Sequence, residues 1–360
     1  MIITDLLKYR LHNQQIALHA FEKPEDVVRW LGAVQAQDYL NSLWAIGLRL
    51  KNANESNIEK AIADKTIVRT WPMRGTLHFV APEDIHWMLK LLTPRIIARA
   101  ATNYKQAGLD DKIFAKSKKL LVNALQGGKQ FTRAEMYEIL ERGKISTVGL
   151  RGLHILGYVA QQGLICFGAR KGKQQTFALL DEWLPQVKTL TNDEALAELA
   201  KRYFTSHGPA TIQDFAWWSG LTVTEAKKGL EMVSSHFNKE VIQDQTYWMP
   251  NDMPVIKTKL QAVYLLPDFD EYLVGYRDRS AAVDAKYIKQ IIGAAGNGIF
   301  SPVIVINEKV AGTWKRTLKK DIVAVEVNSF MPLSERQINA IKIKAKQYGK
   351  FLKMTAILSK

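Results

Sequence analysis

A chain of 360 residues, 47% apolar and 24% charged, has length for roughly two to four domains and can bury a sizeable core. Its 50 Lys+Arg against 35 Asp+Glu leave +15, a balance that favours polyanionic partners through steering and counterion release. The one cysteine, Cys166, excludes a disulfide scaffold and multi-cysteine zinc or iron–sulfur sites, and no apolar run is long enough to span a membrane.

The opening MIITDLLKYRLHNQQI lacks a basic segment followed by an apolar block, so no signal peptide is expected and a cytoplasmic protein is. Residues 25–34 place acids directly after Pro24, a fitting first helical turn, and 57–65 and 82–101 read as further helices, the latter opening with Pro82, Glu83 and Asp84. Between these two, TIVRTWPMRGTLHFV (66–80) is β-branched and aromatic and is broken by Pro72 and Gly75, which predicts two short strands around a turn.

The middle of the chain carries a cryptic repeat. FTRAEMYEIL (131–140) and PATIQDFAWWSG (209–220) each set a threonine, Thr132 or Thr211, three residues before an acid, Glu135 or Asp214, the signature of a capped helix start. A second amphipathic stretch follows each, at 147–163 and 222–233, and then strand-like sequence: LICFGARKGKQQTFALL (164–180) and EVIQDQTYWMP (240–250). Helix, helix, β-hairpin is the winged-helix order, and the first 100 residues fit it loosely as well. From about 256 the chain becomes strand-rich, with a hairpin turn at Asn307–Glu308, and closes in a basic helix over 333–352. The expected fold class is therefore α+β, in four segments: 1–108, 109–188 and 189–255 as winged-helix units and 256–360 as a β-rich C-terminal part.

The positive charge is concentrated. Residues 110–180 hold 12 Lys+Arg against 5 Asp+Glu, and 336–360 hold seven more with no acid. A lone lysine run is ordinarily a solvated helix face, but two separated basic regions point to nucleic acid. The tail lacks the bulky aromatics of a membrane-surface helix.

Catalytic signatures are sparse. No phosphate-cradling glycine loop occurs, and the histidines (12, 19, 78, 86, 154, 207, 236) show no metal-ligand spacing, so neither a metal nor a cofactor is expected. Asp268 and Asp270 in LLPDFDEYL would share a face on extended chain, which suits a general base or a metal, although a turn between strands explains them as well. Gln35 and Gln37 in LGAVQAQDY would point about 200° apart on a helix but to one side of an extended chain. Two such amides can orient a water, though neither can act as a base.

Taken together, Gln35-Ala36-Gln37, RTWPMRGTLHFV (69–80), GLICFGARKGKQQTFALLDEWLP (163–185), LLPDFDEYLVGYRDR (265–279) and VAGTWKR (310–316), in that order, resemble the AlkZ-like winged-helix DNA glycosylases over essentially the whole chain. The resemblance implies three tandem winged helices around a DNA-binding cleft and a monofunctional glycosylase acting on bulky or crosslinked N7-alkylated purines in double-stranded DNA. It carries the family's catalytic Gln–apolar–Gln element onto Gln35 and Gln37, in the form that has Gln at the second position rather than Asp, and leaves the neighbouring Asp38 as an assisting acid or a helix-end acid. Arg69, Arg74 and His78 near the first wing, Lys171 and Lys173 at the second wing's tip, and Arg277 and Arg279 are the DNA-binding candidates, against inward pairing for the arginines. Trp217 and Trp218 are expected in the core. A monomer is the simplest arrangement. The alternatives are a non-catalytic winged-helix DNA-binding protein or regulator, and an RNA-binding protein.

Overall fold

The computed structural model describes residues 3–184, 189–256, 262–293 and 298–359; Pro185 of the third motif and residues 257–261 lie outside them. The fold mixes helices and mostly antiparallel strands, and the chain divides into two units, 1–59 with 197–360, and 60–196. No helix among the described residues is long and apolar enough to cross a membrane.

In the 60–196 unit, the strands Val68–Met73 and Thr76–Val80 form the expected hairpin. Arg74 (φ 54°) and Gly75 (φ 74°) both take left-handed backbone at its turn, the geometry that matches the twist of the two strands. Pro72, which has no N–H for a ladder, falls where the register shifts between Thr70 and Met73. The helix expected over 82–101 is a 3-10 turn, Pro82–Asp84, leading into a longer helix, Ile85–Gln106, that continues through Pro94.

Next, Asp110 caps helix Asp111–Leu125, which buries Phe114, Ser117, Leu121 and Leu125 along one stripe. Helix Arg133–Arg142 opens with a complete capping box: the Thr132 N–H donates to Glu135 (2.6 Å) and the Glu135 N–H donates to the Thr132 hydroxyl (3.4 Å). Helix Arg151–Gln161 packs Ile155, Leu156, Val159 and Ala160 into the same core. A three-stranded sheet closes it, with Phe177 opposite both Phe131 and Phe167 in one row and Trp71 of the hairpin packed on Phe167. Between the strands Ile165–Phe167 and Thr176–Leu179, a loop narrows to a turn in which Lys171 and Gln174 bond to each other's backbone, Gly172 (φ 62°) letting the chain reverse. Gln130 staples the loop's base through Ala169 N–H (2.9 Å) and the Thr176 hydroxyl (3.0 Å).

The other unit repeats the order helix, helix, strand pair in Ile212–Ser219, Val223–Val233 and the hairpin Phe237–Ile242/Gln245–Pro250. Both helices carry capping boxes, Thr211/Asp214 and Thr222/Glu225. Its five-stranded sheet runs, by neighbour, Thr355–Ser359, Ile322–Ser329, Lys309–Lys319, Val303–Ile306, Val263–Leu266. The turn Asn307–Glu308 is where the sequence places it, both residues at positive φ. The last strand lies parallel to Ile322–Ser329, and the basic helix Glu335–Leu352 is the crossover that parallel neighbours require. Nothing in the sequence signalled that strand. Trp44, Trp314, Tyr348 and Phe351 pack against one another where this helix meets the sheet and helix Tyr39–Gly47.

Candidate functional site

Helix Pro24–Leu31 buries Val27, Val28 and Leu31 and stops three residues short of the expected Val34, because Gly32 turns left-handed (φ 79°). The chain then extends through Val34–Gln35 and bends at Gln37 and Asp38 before helix Tyr39–Gly47. Gln35 and Ala36 are buried and Gln37 is exposed. Asp38 is the N-cap, its carboxylate accepting from the Asn41 N–H at 3.0 Å. The Trp44 indole N–H donates to the Leu265 carbonyl (2.8 Å) and fixes this helix on the strand Val263–Leu266.

A buried carboxylate holds the glutamine element from below. Glu271, 1% exposed, accepts the Gln35 backbone N–H at 3.1 Å through one oxygen. Its other oxygen accepts the Trp218 indole N–H (2.9 Å) and faces His207 Nε2 (3.3 Å). Burial, the largest influence on His207, pulls its pKa below 6.5, against the pull of Glu271. Gly275 sits so close that a Cβ there would meet the Glu271 carbonyl at 2.5 Å and the His207 ring at 2.8 Å.

Asp268 and Asp270 do not share a face. They flank a turn in which Phe269 is left-handed (φ 54°). Asp270 caps Glu271–Val274 and takes a two-pronged bond from buried Arg49, at 2.8 and 3.0 Å. Asp268 is half-buried; one of its oxygens is sequestered with no hydrogen-bond partner, and the Asn41 side chain bonds its carboxyl. Burial first, then the Asp38 charge, push its pKa up to about 7, with Asn41 and Arg316 opposing. Sequence pattern points to neither Glu271 nor Asn41; the acid-rich segment DFDEYL is the only signal for Glu271.

The expected DNA-contacting residues differ in exposure. Lys173 is exposed at its loop tip and lines a cavity with Thr132, Arg133 and Tyr137, while Lys171, also exposed, lies 3.4 Å from Glu135. Arg277 is exposed beside a cavity lined by Thr211 and Asp214, its backbone N–H held by Asp214 (2.9 Å). Arg279 lies over the Trp217 ring (5.4 Å) and donates to the Leu273 carbonyl. Arg69 and His78 are buried: Arg69 stacks on Phe167, 4.7 Å from the ring centre, and His78 spans Arg74 (3.3 Å) and the Thr76 carbonyl (3.0 Å). Trp218 is in the core as expected, but Trp217 is 45% exposed.

A family profile described as DNA glycosylase AlkZ-like matches residues 28–351. The interstrand DNA cross-link repair glycosylase of Streptomyces sahachiroi is 25% identical over 335 residues, covering 85% of this chain and 86% of its own. The solved structure of Streptomyces sahachiroi DNA glycosylase AlkZ superposes with a TM-score of 0.81 over the full length of both chains at 20% identity, so the fold is shared.

Proposed function

This chain belongs to the AlkZ-like family of DNA glycosylases, and from that premise we propose that it hydrolyses the N-glycosidic bond of bulky or crosslinked N7-alkylated purines in duplex DNA. The observation that carries the reading is the Gln35-Ala36-Gln37 element, whose first residue lies on extended chain with its backbone N–H on the buried Glu271 and whose last is exposed at a bend. An N7-alkylated purine is already cationic and leaves without a general acid, so the protein's task is to place a water below C1′ and stabilise an oxocarbenium-like sugar. Amide oxygens fixed in direction do both as preorganised dipoles. Exposed Gln37 orients the water and buried Gln35 assists or contacts the sugar. The Streptomyces relative, an interstrand cross-link repair glycosylase, supports the bulky end of the substrate range.

In this reading the segments 1–108, 109–188 and 189–255 act as three winged helices around a DNA cleft, with 256–360 as the β-rich part. The repeated order of helix, helix and strand pair supports it. Lys171, Lys173 and Arg277 are the first phosphate contacts, because they are exposed. Arg69, Arg74, His78 and Arg279 would reach DNA only by giving up their present contacts within the protein. The enzyme acts, in the same reading, as a cytoplasmic monomer.

The test is excision from duplex DNA carrying one N7-alkylguanine, read as alkali-labile abasic sites at low salt, for wild type, Gln35→Ala and Gln37→Ala. Base release by wild type and its loss in the variants, with binding to abasic DNA retained, is the expected result. A Gln37→Ala protein that binds normally and excises at the wild-type rate removes Gln37 from the mechanism.

A further inference from the structure

Hydrolysis of the glycosidic bond forms a C1′–O bond and breaks the C1′–N bond, whose electron pair passes to the base and neutralises its cationic ring. The base therefore needs no proton, and the attacking water must shed one. Glutamine cannot take it, since an amide is a dipole and not a base at neutral pH. The two glutamines alone leave that proton without a destination.

Resting on the glycosylase reading above, we propose that Asp268, paired with Asp38 across Asn41, accepts the proton of the attacking water and holds negative charge beside the Gln35–Gln37 element. The placement follows from the fold. Asp38 directly succeeds Gln37 and caps helix Tyr39–Gly47, and the Trp44–Leu265 bond ties that helix to the strand that ends just before Asp268. Buried Asn41 joins the acids, its backbone N–H on Asp38 and its side chain on Asp268.

Asp268 is built unlike its neighbour. Asp270 has a buried arginine on both oxygens, whereas one Asp268 oxygen is sequestered without a hydrogen-bond partner, an arrangement that costs stability. The groups facing it are Asp38 from the helix start and Arg316 from strand Lys309–Lys319, with Arg316 also bonded to the Tyr348 hydroxyl of the terminal helix. Held near 7 by burial and by Asp38, the carboxyl can exchange a proton at working pH. The linkage sign is unfavourable to stability: the unfolded acid ionises near 3.8 and the folded one near 7, so stability falls as pH rises between those values.

Single-turnover excision of an N7-alkylguanine duplex, followed as a function of pH for wild type, Asp268→Asn, Asp38→Asn and Gln37→Ala, tests this. Wild-type rate should rise as pH passes about 7. Asp268→Asn should lose that rise and fall by about 10²-fold at alkaline pH, while unfolding at a higher temperature than wild type there. Asp38→Asn keeps a competent cap but removes the repelling charge, and should move the inflection to lower pH. An Asp268→Asn protein with the wild-type rate and pH profile overturns the proposal. So does one that loses activity and thermal stability together, which marks a structural role. Absence of base release by wild type itself overturns the glycosylase reading instead, and takes this proposal with it.

Discussion

Two helix starts with the same capping pattern are used in opposite ways. Thr132/Glu135 and Thr211/Asp214 both complete a capping box. Glu135 stays at the surface, where the Thr132 bonds and Lys171 lower its pKa. Asp214 is 1% exposed, and its carboxylate also takes the backbone N–H groups of Arg277 (2.9 Å) and Asp278 (3.3 Å) and lies 3.7 Å from buried Arg10. One acid terminates a helix; the other joins a helix to two distant parts of the chain. A motif therefore specifies a local geometry, and its weight in the fold depends on what the tertiary structure brings to it.

The largest expected effect comes from breaking the buried member. Asp214→Ala removes the cap, unpins the 277–278 segment and strips Arg10 of its carboxylate, and loss of one partner from a buried ion pair costs about 3–5 kcal/mol. Glu135→Ala should produce only a small fall in melting temperature. Thermal denaturation of the two variants side by side checks the contrast, and equal losses would refute it.

Burial of a base acts on stability with the opposite pH sign to burial of the acid Asp268 in the same unit. His207 is buried against Glu271 with its pKa below 6.5. The unfolded chain then binds a proton near 6.5 that the folded chain refuses, so stability rises with pH through that window and is lost as pH falls below it. His207→Gln should flatten this acid-side loss in denaturation curves recorded across the window, and an unchanged slope would assign it to other groups.

These contrasts also mark what the sequence could disclose. Interactions closed within a few residues were legible: the Thr132/Glu135 and Thr211/Asp214 boxes, the Asn307–Glu308 turn, and the hairpin around Arg74–Gly75. The roles proposed for Gln35 and Gln37 come only from resemblance, since their spacing has no meaning until Gly32 ends the helix and the chain extends through Gln35. Glu271 was not legible, because its partners Gln35, His207 and Trp218 lie 236, 64 and 53 residues away. Nor could periodicity separate Trp217 from Trp218, adjacent on one short helix, or tell Asp268 from Asp270, whose difference is made by Arg49.

The exposed box offers the smallest and sharpest test, because its acid sits beside one of the 171–173 loop's two candidate phosphate contacts. Lys173 extends from the loop tip, and replacing it with glutamine should weaken duplex binding evenly across sequences and reduce the slope of log K against log salt by about 1. Lys171 is partly neutralised by Glu135 at 3.4 Å, so it gives less to a phosphate and its loss exposes a carboxylate to the DNA. Lys171→Gln alone should therefore weaken binding through repulsion, and adding Glu135→Gln should restore part of it without restoring the salt slope. Binding isotherms at several salt concentrations for Lys173→Gln, Lys171→Gln and the Lys171→Gln/Glu135→Gln pair separate these effects. Identical slopes in all three and in wild type would mean that this loop does not touch the phosphate backbone.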